Sequence, residues 1–229
     1  MEQRFEQHLQ ELRKRFLYSL GFFSLAMVFS FYFSSDMLAW VQNDLGFALN
    51  ALTAYETFYT QLMIAGITAF FLSLPFIAYH GLLFVKPGLS EQEYYAVRNY
   101  LPFSVVLFAV GAAFGYEVVV KYSLNFFAQV ADTSGVESIW GLKSTLGFAF
   151  KIAAFSGLIF QLPVVSFVLG KAGLINRELM REYRPYFIVS VLLASAFATP
   201  PDIITQLMVT VPVLGLYQVS IYLVGLSEK

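Results

Sequence analysis

The chain reads PYFIVSVLLASAFA from Pro185 to Ala198, then Thr199-Pro200-Pro201-Asp202, then IITQLMVTVPVLGLYQVSIYLVG from Ile203 to Gly225. Those four residues cut an otherwise apolar stretch into a hairpin. The first arm, about fourteen residues, makes a helix of roughly 21 Å. A bilayer's hydrocarbon core is roughly 30 Å thick. One arm is therefore too short to span, and a carboxylate, Asp202, sits at the tip. A helix that falls short must thin the bilayer or be covered by neighbours, at a modest cost.

Composition places this hairpin in a membrane. Hydrophobic residues make up 58% of the 229 and charged residues only 13%, with a mean hydropathy of +0.67. Soluble domains average about 25% charged residues, so this chain could not cover a water-facing surface. No low-complexity tract, linker or internal repeat divides it, so residues 1–229 read as a single membrane domain. The absence of cysteine excludes disulfides, thiolate catalysis and Cys-based metal sites. A net charge of −1 gives no drive toward nucleic acid. The first apolar run follows a long charged head and has no small-residue cleavage site after it, so it is expected to be a retained span.

Apolar runs predict six spans, at about Phe16–Phe33, Phe58–Val85, Tyr100–Val120, Leu146–Gly170, Pro185–Ala198 and Ile203–Gly225. An even number puts both termini on one side. Arg4, Arg13, Lys14, Arg15, Lys86, Arg98, Lys171, Arg177, Arg181, Arg184 and Lys229 all fall on the terminal side. The opposite segments (34–57, 121–145 and 199–202) hold only Lys121 and Lys143 as cations. By the positive-inside rule, both termini are cytoplasmic. Residues 1–15 read as an amphipathic helix at the membrane surface, because Phe5, Leu9, Leu12 and Phe16 share a face, with Lys14 and Arg15 at i+3 and i+4 from Glu11. The outer segment 34–57, with Trp40 and Tyr55, reads as an interfacial cap.

Polar residues inside apolar runs are functional candidates by default. They are Glu56, Glu117, Lys151, Gln161, Asp202 and Gln206. Each also has a structural reading. Glu117 and Lys121 lie one turn apart and can pair. Lys151 can snorkel. Gln161, two residues before Pro163, can satisfy backbone freed by that proline. Pro75, Pro163 and Pro212 read as kinks absorbed by packing, and Gly111-x-x-x-Gly115 as a close-packing motif. On the cytoplasmic side, Pro87-Gly88 marks a turn and Ser90 with Glu93 forms a possible capping box. Alternatively Glu93 and Glu11 face a cationic ligand, since carboxylates bind guanidinium in a bidentate geometry lysine cannot reproduce. No Walker A loop, HExxH, GxSxG or paired membrane aspartates appear, so neither an enzyme nor a metal or cofactor is expected.

Several segments occur in an order that resembles one family. They are His8-Leu9-Gln10-Glu11-Leu12-Arg13-Lys14-Arg15, Phe84-x-x-Pro87-Gly88-Leu89-x-x-x-Glu93, Phe160-Gln161-Leu162-Pro163-Val164, and Thr199-Pro200-Pro201-Asp202-x-x-x-Gln206. With Pro212 and Leu216-Tyr217 following, residues 5 to 225 closely resemble TatC, the core subunit of the twin-arginine protein translocase. The resemblance implies an all-α polytopic membrane protein, a concave, glove-like bundle of six helices whose fifth and sixth are short. It implies a non-enzymatic receptor in the cytoplasmic (inner) membrane of a prokaryote. Such a receptor binds twin-arginine signal peptides of folded precursor proteins. It recruits TatA and TatB-type single-span proteins and works in a higher-order complex with other copies, driven by the protonmotive force.

By that resemblance Glu11, Arg13 and Glu93 belong to the signal-peptide site, with Phe84 and Leu89 beside it. Glu56 and Phe58 match a patch at the outer end of the second span. Gln161 takes a mid-membrane polar position, and Thr199, Asp202 and Gln206 match the polar region where partner helices dock. Pro87, Gly88, Pro163, Pro200, Pro201 and Pro212 are structural. The sequence departs from the pattern at Gln161, where Glu is usual, at Gln218, likewise for Glu, at His80, where Gln is usual, and at Tyr94-Tyr95, where basic residues are common. A fixed negative charge at position 161 is thus no part of this protein's mechanism. Two other readings compete: a small secondary transporter using Glu117, Lys151 and Gln161, and a membrane scaffold in which Glu11 and Glu93 are replaceable.

Overall fold

The computed structural model describes residues 2–86, 91–198 and 202–227. They are almost wholly helical. Two compact units emerge, residues up to Val105 with Gly141–Lys143, and Val106–Trp140 with Ser144 onward.

In the first unit, α1 (Glu2–Tyr32) and α3 (Glu56–Val85) pack along each other, with α2 (Ser34–Leu45) against α3. Contrary to the expectation of a separate surface helix, the charged head and the apolar span are one uninterrupted helix of 31 residues. The reason is local: between Leu9 and Leu20 there is no Gly or Pro, so nothing stops helical propagation. Phe22 stacks on Phe76 at 4.6 Å between centroids, which fixes the antiparallel register of α1 and α3. Ile64, Ala65 and Ala69 of α3 are buried, and two of these three are small enough to let a neighbouring helix approach closely. The interfacial cap is a real helix, α2, ended by Gly46 at φ 71°, whose N–H bonds Gln42 O. Gln61 Nε2 donates to Ser35 Oγ at 3.1 Å and ties the cap to α3. The two-residue strand β1 (Leu49–Asn50) pairs with β2 (Trp140–Gly141), which brings Gly141–Lys143 into this unit.

The third apolar run is longer than expected. It is α4 (Glu91–Phe114), a π-helical segment (Gly115–Val120) and α5 (Lys121–Thr133) without a break, so the helix continues past Val120 into what the charge count treats as an outer loop. In the second unit, Gly111 and Gly115 meet α6 (Leu142–Ile159). A Cβ on Gly111 would lie 2.6 Å from the Phe160 ring, and one on Gly115 2.6 Å from Ser156 Oγ. The close-packing reading of this motif holds.

Pro163 divides the fourth span into α6 and α7 (Leu162–Lys171). Its missing N–H opens the ladder, and Gln161 N–H tightens to Leu158 O at 3.0 Å. Gln161 stays helical (φ −75°, ψ −16°), so this is a kink and not an unwound segment. Pro75 and Pro102 lie inside α3 and α4, and Pro212 inside the last helix.

After the short α8 (Arg177–Glu182), α9 (Arg184–Ala198) has 15 residues, about 22 Å. The short arm is therefore real. The last helix, α10 (Ile203–Ser227), has 25 residues, about 37 Å, because Pro212 does not break an unbroken apolar run. The expected shortness holds for α9 alone. Among the described residues five helical stretches are long and apolar enough to cross a membrane, and α9 is the sixth, shorter one. Large side chains such as Phe197 (87% exposed) and Val211 cover the outside, as a lipid-facing surface requires.

Within the second unit α10 packs on α7, α8 and α9. Tyr217 stacks face to face on Phe187 at 3.9 Å, and its hydroxyl donates to Met180 O at 2.7 Å. The tyrosine of the Leu216-Tyr217 motif thereby clamps α8 against α10.

Candidate functional site

Glu11 lies on α1, half-buried, four residues before Arg15. Arg15 Nε and Nη2 donate to Glu11 Oε1 at 3.1 and 2.5 Å. Oε2 accepts no bond from the described residues. The pair lines a polar depression of about 490 Å³ with Gln10, Lys14 and Tyr18. Lys14 Nζ stands 5.9 Å over the Tyr18 ring. Arg13, on the same helix, is exposed.

Phe84, near the end of α3, is half-buried and lines an apolar groove of about 350 Å³ between α1 and α3. Arg15 is a wall of both the depression and the groove. The structure thus brings Glu11 and Phe84 to adjoining cavities. Pro87, Gly88, Leu89 and Ser90 lie outside the described residues. Glu93 falls in the first turn of α4, but its side chain lies outside them as well.

Glu56 opens α3 and is 5% exposed. Its Oε2 accepts the N–H groups of Leu52 (2.7 Å) and Thr53 (3.2 Å), and its Oε1 that of Lys143 (2.7 Å). The Lys143 ammonium sits 4.5 Å over Tyr59. A carboxylate with three backbone donors is holding loops together. Glu117 pairs with Lys121 at 2.7 Å, as the one-turn spacing predicts. Lys151 is exposed on α6, and Gln161 is half-buried at the kink, giving no side-chain cap to α7.

At the hairpin, Thr199, Pro200 and Pro201 lie outside the described residues. Asp202 Oδ1 accepts the Thr205 N–H at 2.7 Å, and its Oδ2 takes the Thr205 hydroxyl in a short bond. Gln206 Nε2 donates to Leu192 O at 3.0 Å, joining α10 to α9. Ser195 and Thr210 share a buried hydroxyl contact at 3.2 Å. Asp202 and Gln206 are therefore brought together, one as an N-cap and the other as a cross-link between the arms.

Sequence reasoning missed Arg15 as part of the site, although its i+4 spacing from Glu11 was visible. It also missed His80 as a groove residue. Among the described residues no cluster of three or more His, Asp or Glu could hold a metal.

Long apolar helices joined by charged, short connections define a polytopic helical membrane protein. Residues 7–212 match the family described as "Sec-independent protein translocase protein (TatC)". A TatC protein of Halalkalibacterium halodurans is 34% identical over 227 residues, covering 97% of this chain and 89% of that relative. One of Listeria innocua is 34% identical over 225 residues, covering 97% and 91%. A crystal structure of a protein titled the twin-arginine translocase receptor TatC superposes with a TM-score of 0.83 at 30% identity, covering 97% of this chain and all of that one. The chain belongs to the TatC family of Sec-independent protein translocase proteins.

Proposed function

We propose that this chain is the non-enzymatic signal-peptide receptor of its translocase, binding the arginine pair of folded precursor proteins on the cytoplasmic face. The observation that carries the reading is the Glu11 carboxylate, which already accepts a guanidinium, from Arg15, in an open polar depression. With Oε2 unengaged by the described residues, a second guanidinium can bind there. Glu93, in the first turn of α4, is the second carboxylate of the site, with Arg13, Phe84 and Leu89 beside the pair. TatA and TatB-type helices dock at Thr199, Asp202 and Gln206, and the protonmotive force drives transport in a complex of several copies. The charge distribution supports a cytoplasmic-membrane protein of a prokaryote with both termini inside. The transporter reading loses Glu117, whose carboxylate is spent on Lys121.

The test is binding of a twin-arginine signal peptide and its twin-lysine version to the purified protein. A charge-assisted hydrogen bond contributes about 1.5–3 kcal/mol. The lysine peptide and the Glu11→Gln variant should each therefore lose about tenfold or more in affinity. Equal binding of both peptides overturns the receptor reading.

A further inference from the structure

We propose that the connection between α7 and α9 holds an anionic phospholipid, with its phosphate on Arg181 and Arg184 and the start of an acyl chain in the apolar pocket beside Tyr217.

The connection joins the ends of two membrane helices, so it lies at headgroup level. Its central element, α8, is hydrogen-bonded through into α9: Tyr183 N–H donates to Leu179 O and Phe187 N–H to Tyr183 O, both at 3.0 Å. The helical phase therefore carries from Arg177 to Arg184. Arg177, Arg181 and Arg184, at i, i+4 and i+7, fall on one face. Glu178 and Glu182 each stand one position on, about 100° round the helix. The two signs are thus segregated. Among the described residues neither Arg181 nor Arg184 makes an ion pair, and both are exposed. The other two cations of the connection are engaged elsewhere. Lys171 Nζ stands 5.4 Å over the Phe167 ring. Arg177 is laid along α10, its Cδ 2.9 Å from where a Cβ of Gly225 would stand.

Orientation in the membrane asks only for cations on this side. It asks for no apolar recess beside them, and one is present. Ile175, Leu179, Met180, Tyr183 and Tyr217 enclose about 350 Å³. The stacking of Tyr217 on Phe187 and its bond to Met180 O fix one wall of this pocket. Arg184 follows Tyr183 directly and is close enough to act electrostatically on Tyr217. Leu179 and Tyr183 remain exposed at the mouth.

A phospholipid matches both parts. Its phosphodiester accepts guanidinium hydrogen bonds in the paired geometry that arginine offers. Its first methylenes leave water for the pocket. Tyr183 and Tyr186 suit the same level, with the ring among apolar groups and the hydroxyl toward water. Phosphate alone would leave the pocket open, and a neutral lipid would fill it without drawing on two unpaired guanidinium groups. A headgroup held by Arg184, the first residue of α9, fixes the depth of that end of the helix. The shortfall of α9 then lies at its other end, beside Asp202.

The experiment is native mass spectrometry of the purified protein in detergent. It is titrated with phosphatidylglycerol, with phosphatidylcholine of the same chains, and with glycerophosphoglycerol, the deacylated headgroup. Wild type should hold phosphatidylglycerol about tenfold or more above either of the others. Arginines near a membrane surface contribute about fivefold each, so Arg181→Gln with Arg184→Gln should lose about twentyfold. Arg181→Lys with Arg184→Lys keeps the charge without the planar fork and should lose about threefold or more. Leu179→Ser should weaken phosphatidylglycerol about threefold and leave glycerophosphoglycerol unchanged. All these side chains are exposed, so melting temperatures should stay at the wild-type value.

Equal retention of phosphatidylglycerol and phosphatidylcholine by wild type overturns the proposal. Wild-type binding by the lysine pair overturns it too, because the arginines would then act only as diffuse positive charge. Wild-type binding by Leu179→Ser removes the acyl chain from the pocket, and deacylated headgroup bound as tightly as the lipid makes the ligand a phosphate alone; either result sinks the phospholipid site.

Discussion

The carboxylate of Glu56 accepts the backbone N–H of Lys143 at 2.7 Å, across 87 residues of sequence. With the N–H groups of Leu52 and Thr53 on its other oxygen, Glu56 closes the loop before α3 and anchors residues 141–143 to it. Three donors converge, so an amide is a poor replacement: the NH2 of Gln would face N–H groups. Glu56→Gln and Glu56→Ala should both lower the melting temperature. Both should also speed amide hydrogen exchange at Leu52, Thr53 and Lys143, without changing twin-arginine peptide binding. Exchange at wild-type rates in both variants would show that the three bonds do not hold these loops.

The glycines of the second unit separate into two kinds. Gly111→Ala and Gly115→Ala each place a Cβ under 3.0 Å from their neighbours, including the backbone oxygens of Ser156 and Ile152, which cannot rotate away. Overpacking of this kind costs about 1–3 kcal/mol. Gly147, on α6, has nothing within 4 Å of an added Cβ. Gly147→Ala should be neutral or stabilising by up to about 1 kcal/mol, from helix propensity. Unfolding in detergent reads all three. Equal stability of Gly115→Ala and Gly147→Ala would mean that the helix contact at Ser156 gives way freely.

What the sequence revealed and what it hid follow one division. Features set within a single helix were legible: the apolar runs, the short α9, and the Glu117–Lys121 pair at i+4. The kink at Pro163 was legible too, since proline removes its own N–H. Features that depend on the relative phase of distant helices were not. The partners of Gly111 and Gly115 could not be named, because Phe160 and Ser156 become their neighbours only in the packed structure. The partner of Glu56 is a backbone amide, which every residue but proline carries and no pattern advertises. The groove exists because α1 and α3 meet in the register fixed by Phe22 on Phe76. The continuous α1 was hidden for another reason: a charged head suggested a boundary, whereas helix continuity depends on the lack of a breaker.

At the hairpin, both oxygens of Asp202 serve Thr205, and Gln206 spans the two arms to Leu192 O. If partner helices read the shape of this corner, the cap matters more than the charge. Asparagine is as good an N-cap as aspartate, whereas alanine costs about 1 kcal/mol. Asp202→Asn should therefore keep crosslinking to TatA and TatB-type helices close to wild type. Asp202→Ala and Thr205→Val should both reduce it, the first by loss of the cap and the second by loss of its hydroxyl partner. Gln206→Ala should reduce it as well, by releasing Leu192 O from α10. Loss of crosslinking in Asp202→Asn at undiminished stability would assign the contact to the negative charge itself. Wild-type yield in Gln206→Ala would remove that residue from the docking surface.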